Sequence, residues 1–143
     1  MLATMLVMGM VQAAALPMAW RVEHVSDEET GVRHCAVVAL GRNVMAVLSQ
    51  DEGAVAWSVT VGTGNTPHSI RYLRVDEAIF QTIEPAFLGR EARDIVERLK
   101  RAGEFAFEWA RAPGQTKQPG LFSAGDFAAR AADCEAWMAG TPI

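Results

Sequence analysis

The segment 104-EFAFEW-109 decides the fold, because apolar and polar side chains alternate along it. Phe105, Phe107 and Trp109 share one side, while two glutamates and an alanine occupy the other. Successive side chains of a β-strand point to opposite faces of its sheet. The pattern therefore predicts a strand with one aromatic face. Such rings pack in a core more often than they line a ligand groove, so we expect this face to be buried.

The same two-residue period recurs earlier in the chain. Val55, Trp57, Val59 and Val61 alternate with small or hydroxylated residues, which is typical of a half-buried strand. Clusters of glycine, aspartate and asparagine separate this stretch from other β-branched, apolar stretches and indicate turns. These patterns predict strands over residues 20–25, 33–40, 44–49, 55–61, 69–75 and, shorter, 78–83.

The period changes to that of a helix after Pro85. Apolar residues then recur every three or four positions with charged residues between them, and Gly103 ends the helix. A second helix is predicted near the end of the chain, where four apolar residues step by four, three and four and so share one face. The first helix presents Leu88, Ala92, Ile95, Val96 and Leu99, and the second presents Phe127, Ala131, Cys134 and Met138.

These segments together predict a single α+β domain. We expect an antiparallel, β-rich body, arranged as a sheet or sandwich of five to seven strands, with two amphipathic helices late in the chain. A length of 143 residues suits one domain with one core. The net charge of −4 disfavours nucleic acid as a partner, because contacts with phosphates need a basic face.

The first twenty residues carry no charge, and residues 2–11 form an apolar run that small residues follow. Ala13-x-Ala15 fits the small-residue rule of a secretory cleavage site, with Val11-x-Ala13 as a second option, although a basic start is missing. The apolar run is about half of the roughly 20 residues that a spanning helix needs. We therefore predict a signal peptide over residues 1–15, a domain over 16–143 and no transmembrane segment in the mature chain. A structural N-terminal segment is the alternative.

The two cysteines, Cys35 and Cys134, bear on the compartment. In an exported chain an even cysteine count favours a disulfide, whereas two buried thiols would suit a cytosolic protein. Cys35 lies in an early predicted strand and Cys134 on the inner face of the last predicted helix. A bridge between them would attach that helix to the sheet. Together with the opening segment, this pair predicts a periplasmic or secreted bacterial protein.

No motif in the sequence specifies a reaction. The glycine-containing stretch 61-VGTGNTPHS-69 lacks the third glycine and the following helix of a phosphate-binding loop, and therefore predicts a turn. The chain has no Gly-x-Ser-x-Gly nucleophile motif. His24, His34 and His68 lack the short spacings of metal ligands. We predict no catalytic residue, no metal site and no cofactor.

Two dispersed sets of polar residues remain candidates. Tyr72, flanked by Arg71 and Arg74 and followed by Asp76, is a candidate surface for an anionic partner or ligand, with a solvated strand face as the alternative. Carboxylates near strand ends leave open a small envelope hydrolase with a dispersed acid/base site. The residues considered for that site are His24, His68, Asp76, Glu77 and Glu84. A third alternative is an inhibitor of another envelope enzyme that presents the loop 112–120.

The order of short motifs resembles the invasion-associated locus B family of small exported bacterial proteins. A W-x-V strand begins at Trp20, Cys35 lies in the second strand, and 72-YLRVD-76, 99-LKRAG-103 and 122-FSAGDF-127 follow. The resemblance implies a β-sandwich core and a non-enzymatic role in host or envelope interaction. This chain has His24 where the family carries a further cysteine, and it lacks the family's mid-chain cysteine pair. We therefore expect an exported binding or structural module whose partner is an unknown protein or envelope component.

Overall fold

A computed structural model describes six stretches of the chain, with side chains described up to residue 108 and again from residue 121. The described stretches are residues 19–39, 43–51, 53–62, 70–112, 115–117 and 121–140. The predicted signal peptide of residues 1–15 and the histidine at position 68 lie outside them.

Four consecutive strands form the first sheet, in the order β1-β2-β3-β4 with every pair antiparallel. Alternation places the inner side chains of β3 and β4 in the core and leaves the intervening ones half-buried or exposed. Gly53 has a φ of +85°, a left-handed conformation that glycine adopts without strain, in the tight β3–β4 turn. The strands are β1 (Arg21–Ser26), β2 (Arg33–Ala39), β3 (Val44–Asp51) and β4 (Ala54–Val61).

Five later strands form a second antiparallel sheet in the order β6-β5-β7-β8, and β9 also pairs with β7. Its central strand β7 begins with the aromatic segment 104–109, and Phe105 and Phe107 are both buried. The strands are β5 (Arg71–Val75), β6 (Ala78–Thr82), β7 (Glu104–Ala112), β8 (Gln115–Lys117) and β9 (Leu121–Ser123).

Two helices complete the described fold, α1 (Gly89–Arg101) between β6 and β7 and α2 (Phe127–Ala139) after β9. The apolar face of α1 packs mainly on β4, and α2 packs mainly on β2 and also on α1. Each helix buries the side chains that its spacing predicted, except that Leu88 is exposed as the residue before α1. No helix within the described stretches is long and apolar enough to cross a membrane.

The core joins both sheets and both helices. Trp20 is buried immediately before β1, where its ring packs against Phe105 of β7 and Phe127 of α2 at centroid distances of 5.6 and 4.9 Å. Its indole N–H donates a 2.8 Å hydrogen bond to the carbonyl of Ala124. A large ring thus satisfies its polar atom while it connects three elements of the fold.

The predicted disulfide is confirmed. Cys35 of β2 and Cys134 of α2 are bonded, with a Cα–Cα distance of 5.4 Å, and both residues are fully buried. The bond attaches the last helix to the first sheet across a sequence separation of 99 residues.

The predicted α+β class, the antiparallel β-rich body and the two late helices are also confirmed. The strand arrangement differs, because the described residues contain nine strands in two sheets rather than one sheet or sandwich of five to seven. The additional strands, β8 and β9, have three residues each. A segment of that length is too short to show a two-residue period, so the pattern could not reveal it.

Candidate functional site

The predicted partner surface divides between the two faces of β5. Tyr72 is half-buried and Arg74 is exposed, whereas Arg71 is buried with 3% of its surface accessible. The Nε of Arg71 donates to the Val61 carbonyl at 3.0 Å and one terminal nitrogen donates to the Glu84 carbonyl at 3.3 Å. Arg71 therefore connects the start of β5 to the end of β4, and it does not lie on the exposed surface with Tyr72 and Arg74.

Asp76 holds the turn between β5 and β6. It is the one described residue other than glycine with a positive φ, at 50°, a conformation that aspartate tolerates better than most residues. Its Oδ1 accepts hydrogen bonds from the backbone N–H groups of Gly103 and Glu104 at 3.2 and 3.1 Å. These bonds fix the entry into β7, so the carboxylate is already engaged in the fold.

The outer face of β5 carries a shallow recess of about 210 Å³ around Tyr72 and Arg74. Ile79 of the neighbouring strand β6 borders it and is 70% exposed. A ligand could reach Tyr72, Arg74 and Ile79 in this recess, together with Glu108 of β7, which lies opposite Tyr72.

The residues considered for a hydrolase lie on separate elements. The His24 ring stacks on Trp137 of α2 at a centroid distance of 4.4 Å, Asp76 holds the β5–β6 turn, and Glu84 follows β6. In the part of the chain that the structure describes, no three histidine, cysteine, aspartate or glutamate side chains are grouped to hold a metal ion. The hydrolase stays an untested alternative.

A larger groove lies elsewhere, between Leu48 of β3, the first half of β4, the start of α1 and the end of α2. We call it the β4-edge groove, and its volume is about 670 Å³. Its lining includes Val55, Trp57, Gly89, Arg93, Glu135 and Met138.

One wall of the β4-edge groove is the free edge of a sheet. β4 is the last strand in the order of its sheet. Among the described residues its outer edge has one backbone partner, Phe87, which exchanges hydrogen bonds with the N–H and C=O of Val59 at 3.0 and 2.8 Å. Backbone groups two residues apart point to the same side of an antiparallel strand. The N–H and C=O groups of Val55 and Trp57 therefore also point outward, and no described residue pairs with them there.

The rim of the groove is positively charged. Arg90 and Arg93 are exposed and form no ion pair with any described residue. The one carboxylate among the described lining residues, that of Glu135, is paired with Lys100 of α1 at 2.8 Å. Partial burial lowers the pKa of Lys100, but hydrogen bonds to Glu135 and Glu97 outweigh it and raise the pKa above its ordinary value. Lys100 therefore stays charged at neutral pH and is shared between Glu97 and Glu135.

The start of α1 adds to this positive rim. The residue before the helix is Leu88, which has no side-chain oxygen and makes no capping hydrogen bond. The backbone N–H groups of a helix's first turn have no partner within the helix, and they carry partial positive charge. An uncapped helix start thus lies beside Gly89 and Arg90, both of which line the groove.

Sequence reasoning missed the β4-edge groove, because its lining comes from four separate elements, β3, β4, α1 and α2. The predicted strand over residues 55–61 includes its main wall, but a strand pattern does not say which strand ends a sheet. One signal was present. The sequence shows no charge at Ala54, Val55 and Ala56, whereas natural edge strands usually carry charge. In the structure all three residues are exposed.

Comparisons with known proteins return no match: no family model, no curated protein and no solved structure matches the chain. The resemblance to the invasion-associated locus B family therefore stays a prediction from short motifs. The geometry and charge of the β4-edge groove carry the functional argument.

Proposed function

We propose that this protein is an exported, non-enzymatic binding module of a bacterial envelope, which takes up an extended segment of a partner protein in the β4-edge groove. The observation that carries the proposal is the unpaired outer edge of Val55 and Trp57 in one wall of an open, apolar groove. An extended peptide can add to such an edge through backbone hydrogen bonds, while pockets beside the edge accept its side chains.

The buried Cys35–Cys134 bond supports the location outside the cytoplasm. Disulfides persist in the periplasm and outside the cell, and cytosolic thiol systems reduce most of them. The signal-like residues 1–15 and the resemblance to the invasion-associated locus B family point to the same compartment. This part of the proposal is tested by fusing residues 1–20 to a reporter enzyme that is active only after export. Reporter activity is expected, and an inactive fusion with the reporter in the cytosol would refute export by this segment.

Binding at the edge is tested with the variant Val55→Pro. Proline lacks the N–H that Val55 directs outward, and edge strands tolerate proline where that group faces solvent. Val55→Thr is the matched control, since it keeps both the N–H and the β-branched shape. The wild-type protein and Val55→Thr are expected to retain the same envelope protein from an extract of the bacterium, and Val55→Pro is expected to lose it.

The three proteins must first give equal thermal unfolding midpoints, so that a lost partner cannot be attributed to a lost fold. Equal retention by Val55→Pro and the wild type would refute the edge as the binding site. If neither retains any envelope protein, the binding role itself is refuted.

A further inference from the structure

The bridge between Val59 and Phe87 defines a vacant position along the edge of β4. The segment that follows β6 runs antiparallel to β4 and pairs with it at Phe87, and then it turns into α1 after Leu88. A second segment laid along the edge of β4 beyond Phe87 would meet Trp57 first and Val55 next. The Trp57 end of this position lies beside Gly89, where α1 begins.

The charges at that end favour an anion. Arg90 and Arg93 have no described carboxylate partner, and Glu135 is paired with Lys100 at 2.8 Å. The uncapped first turn of α1 adds unpaired N–H groups. Arg90, Arg93 and the start of their helix therefore present positive charge to one end of the vacant position, while Glu91, the acidic residue of the first turn, does not line the groove.

We propose that the occupant is an extended peptide segment whose carboxylates lie against Arg90 and Arg93 while its backbone pairs with Val55 and Trp57. This inference rests on the proposed function and gives it the chemistry of the partner: a β-forming segment with acidic groups at one end. Arg–carboxylate hydrogen bonds are among the stronger polar contacts, and backbone pairing alone does not select a sequence.

A second copy of this chain is a poorer occupant. Antiparallel pairing of two β4 edges about a twofold axis at Val55–Trp57 would bring the start of α1 from both copies to the same interface. Each copy would contribute Arg90 and Arg93 to it, and like charges placed opposite each other across an interface are unfavourable. An acidic segment meets no such repulsion.

The experiment is a selection from random decapeptides displayed on phage against the purified, disulfide-bonded protein. In one library the C-terminal carboxylate of the peptide is free, and in a second library the C-terminus is joined to the phage coat protein. Comparing the two libraries shows whether the bound carboxylate is a chain terminus or an acidic side chain. The selection is repeated with Val55→Pro, with Arg90→Glu/Arg93→Glu, and with Arg98→Glu as the control. Arg98 lies on the same helix, but it is paired with Asp94 at 3.2 Å and does not line the groove.

The expected result is a set of acidic peptides, or of peptides with a free carboxylate, that bind the wild type and Arg98→Glu. Binding should be lost in Val55→Pro, and Arg90→Glu/Arg93→Glu should select basic peptides instead. Replacing the acidic residues of a selected synthetic peptide by their amides, or amidating its free terminus, should weaken its binding by about tenfold or more, the usual scale for charged hydrogen bonds.

Other outcomes separate the inference from the proposed function. Peptides that need Val55 but show no acidic preference would overturn the acidic partner and leave the binding role in place. A selection that enriches no peptide sensitive to Val55→Pro would overturn both. A stable dimer in sedimentation that Val55→Pro dissociates would identify a second copy as the occupant and overturn the acidic segment.

Discussion

The two edges of the first sheet are built in opposite ways. The edge strand β1 carries Arg21, Glu23 and His24, and the two charged residues form an ion pair at 3.0 Å. The edge strand β4 begins with exposed Ala54, Val55 and Ala56 and carries no charge along its length. Charged residues on an edge prevent another strand from pairing with it. Of these two edges, the β4 edge lacks this protection, and an unprotected edge is what a strand-pairing site requires.

The β1 side is also the more firmly attached. The Cys35–Cys134 bond joins α2 to β2, and the Trp137 ring of α2 contacts both His24 and the Arg33 guanidinium, at 4.4 and 4.2 Å. Arg33 also donates a 3.1 Å hydrogen bond to the Trp137 carbonyl. The β4 side is joined by the apolar packing of α1 against the sheet and by hydrogen bonds at Val59 and Val61, without a covalent link. Stability and binding are therefore assigned to opposite edges, and substitutions can test the two separately.

The largest effect is expected from the disulfide. Closing a loop of about 100 residues reduces the entropy of the unfolded chain, which corresponds to about 4–5 kcal/mol of stability in the loop-entropy model. Cys35→Ala/Cys134→Ala should lower the free energy of unfolding by roughly 2–5 kcal/mol, as measured by urea denaturation. The same loss should follow when the wild type is reduced. A wild-type denaturation midpoint that reductant leaves unchanged would contradict a stabilising bond and weaken the contrast between the edges.

A smaller effect is expected from the Trp137 contacts. Trp137→Ala removes the stack with His24 and the contact with Arg33, and should cost about 1–2 kcal/mol, the combined scale of one aromatic pair and one exposed cation–π contact. Arg33→Met keeps most of the aliphatic stem and removes the charge, and should cost less than Trp137→Ala. If Trp137→Ala unfolds at the same urea concentration as the wild type, α2 is held by the disulfide and the core alone.

At the β4 edge we expect a substitution of Val55 to cause almost no change in stability. Val55 is 49% exposed and its outward N–H has no described partner, so Val55→Lys should change the free energy of unfolding by less than about 0.5 kcal/mol. Lysine is a common protecting residue on edge strands, and it should block strand addition at the same time. A loss of more than about 2 kcal/mol, measured by urea denaturation, would place Val55 in the packed core instead.

The sequence predicted most of the fold and little of the groove, for a physical reason. The period of two in 104–109 and the spacing of Ala92, Ile95 and Leu99 report which local face is buried, and local faces are what a single sequence encodes. The groove depends on which strand lies at the edge of the sheet and on where α1 begins beside that strand. Both are set by contacts between residues that are far apart in the sequence. Arg71 illustrates the limit: the predicted partner surface includes it with Tyr72 and Arg74, whereas it is buried, and its bond to Val61 depends on the arrangement of the two sheets.

The last comparison concerns Lys100, which links α1 to α2. It joins α1 to α2 through Glu135 at 2.8 Å, and the pKa of Lys100 is raised by its two glutamate partners despite partial burial. A lysine whose pKa is higher in the folded than in the unfolded state makes its full contribution to stability below the unfolded pKa of about 10.4. That contribution is lost as the pH rises through the pKa of the folded state. Stability should therefore be unaffected by Lys100 titration near neutral pH and fall in the alkaline range.

The comparison uses Lys100→Met, which removes the charge, and Lys100→Arg, which keeps it to higher pH. At neutral pH, Lys100→Met should be less stable by about 0.2–1 kcal/mol, the scale of partly exposed pairs, and Lys100→Arg should be close to the wild type. As the pH rises above about 10.4, the wild type should approach Lys100→Met, whereas Lys100→Arg should keep its advantage, as urea midpoints at each pH would show. A constant gap between the wild type and Lys100→Met would mean that the lysine stem, rather than its charge, holds α1 to α2. α1 and α2 would then be held to each other by packing alone.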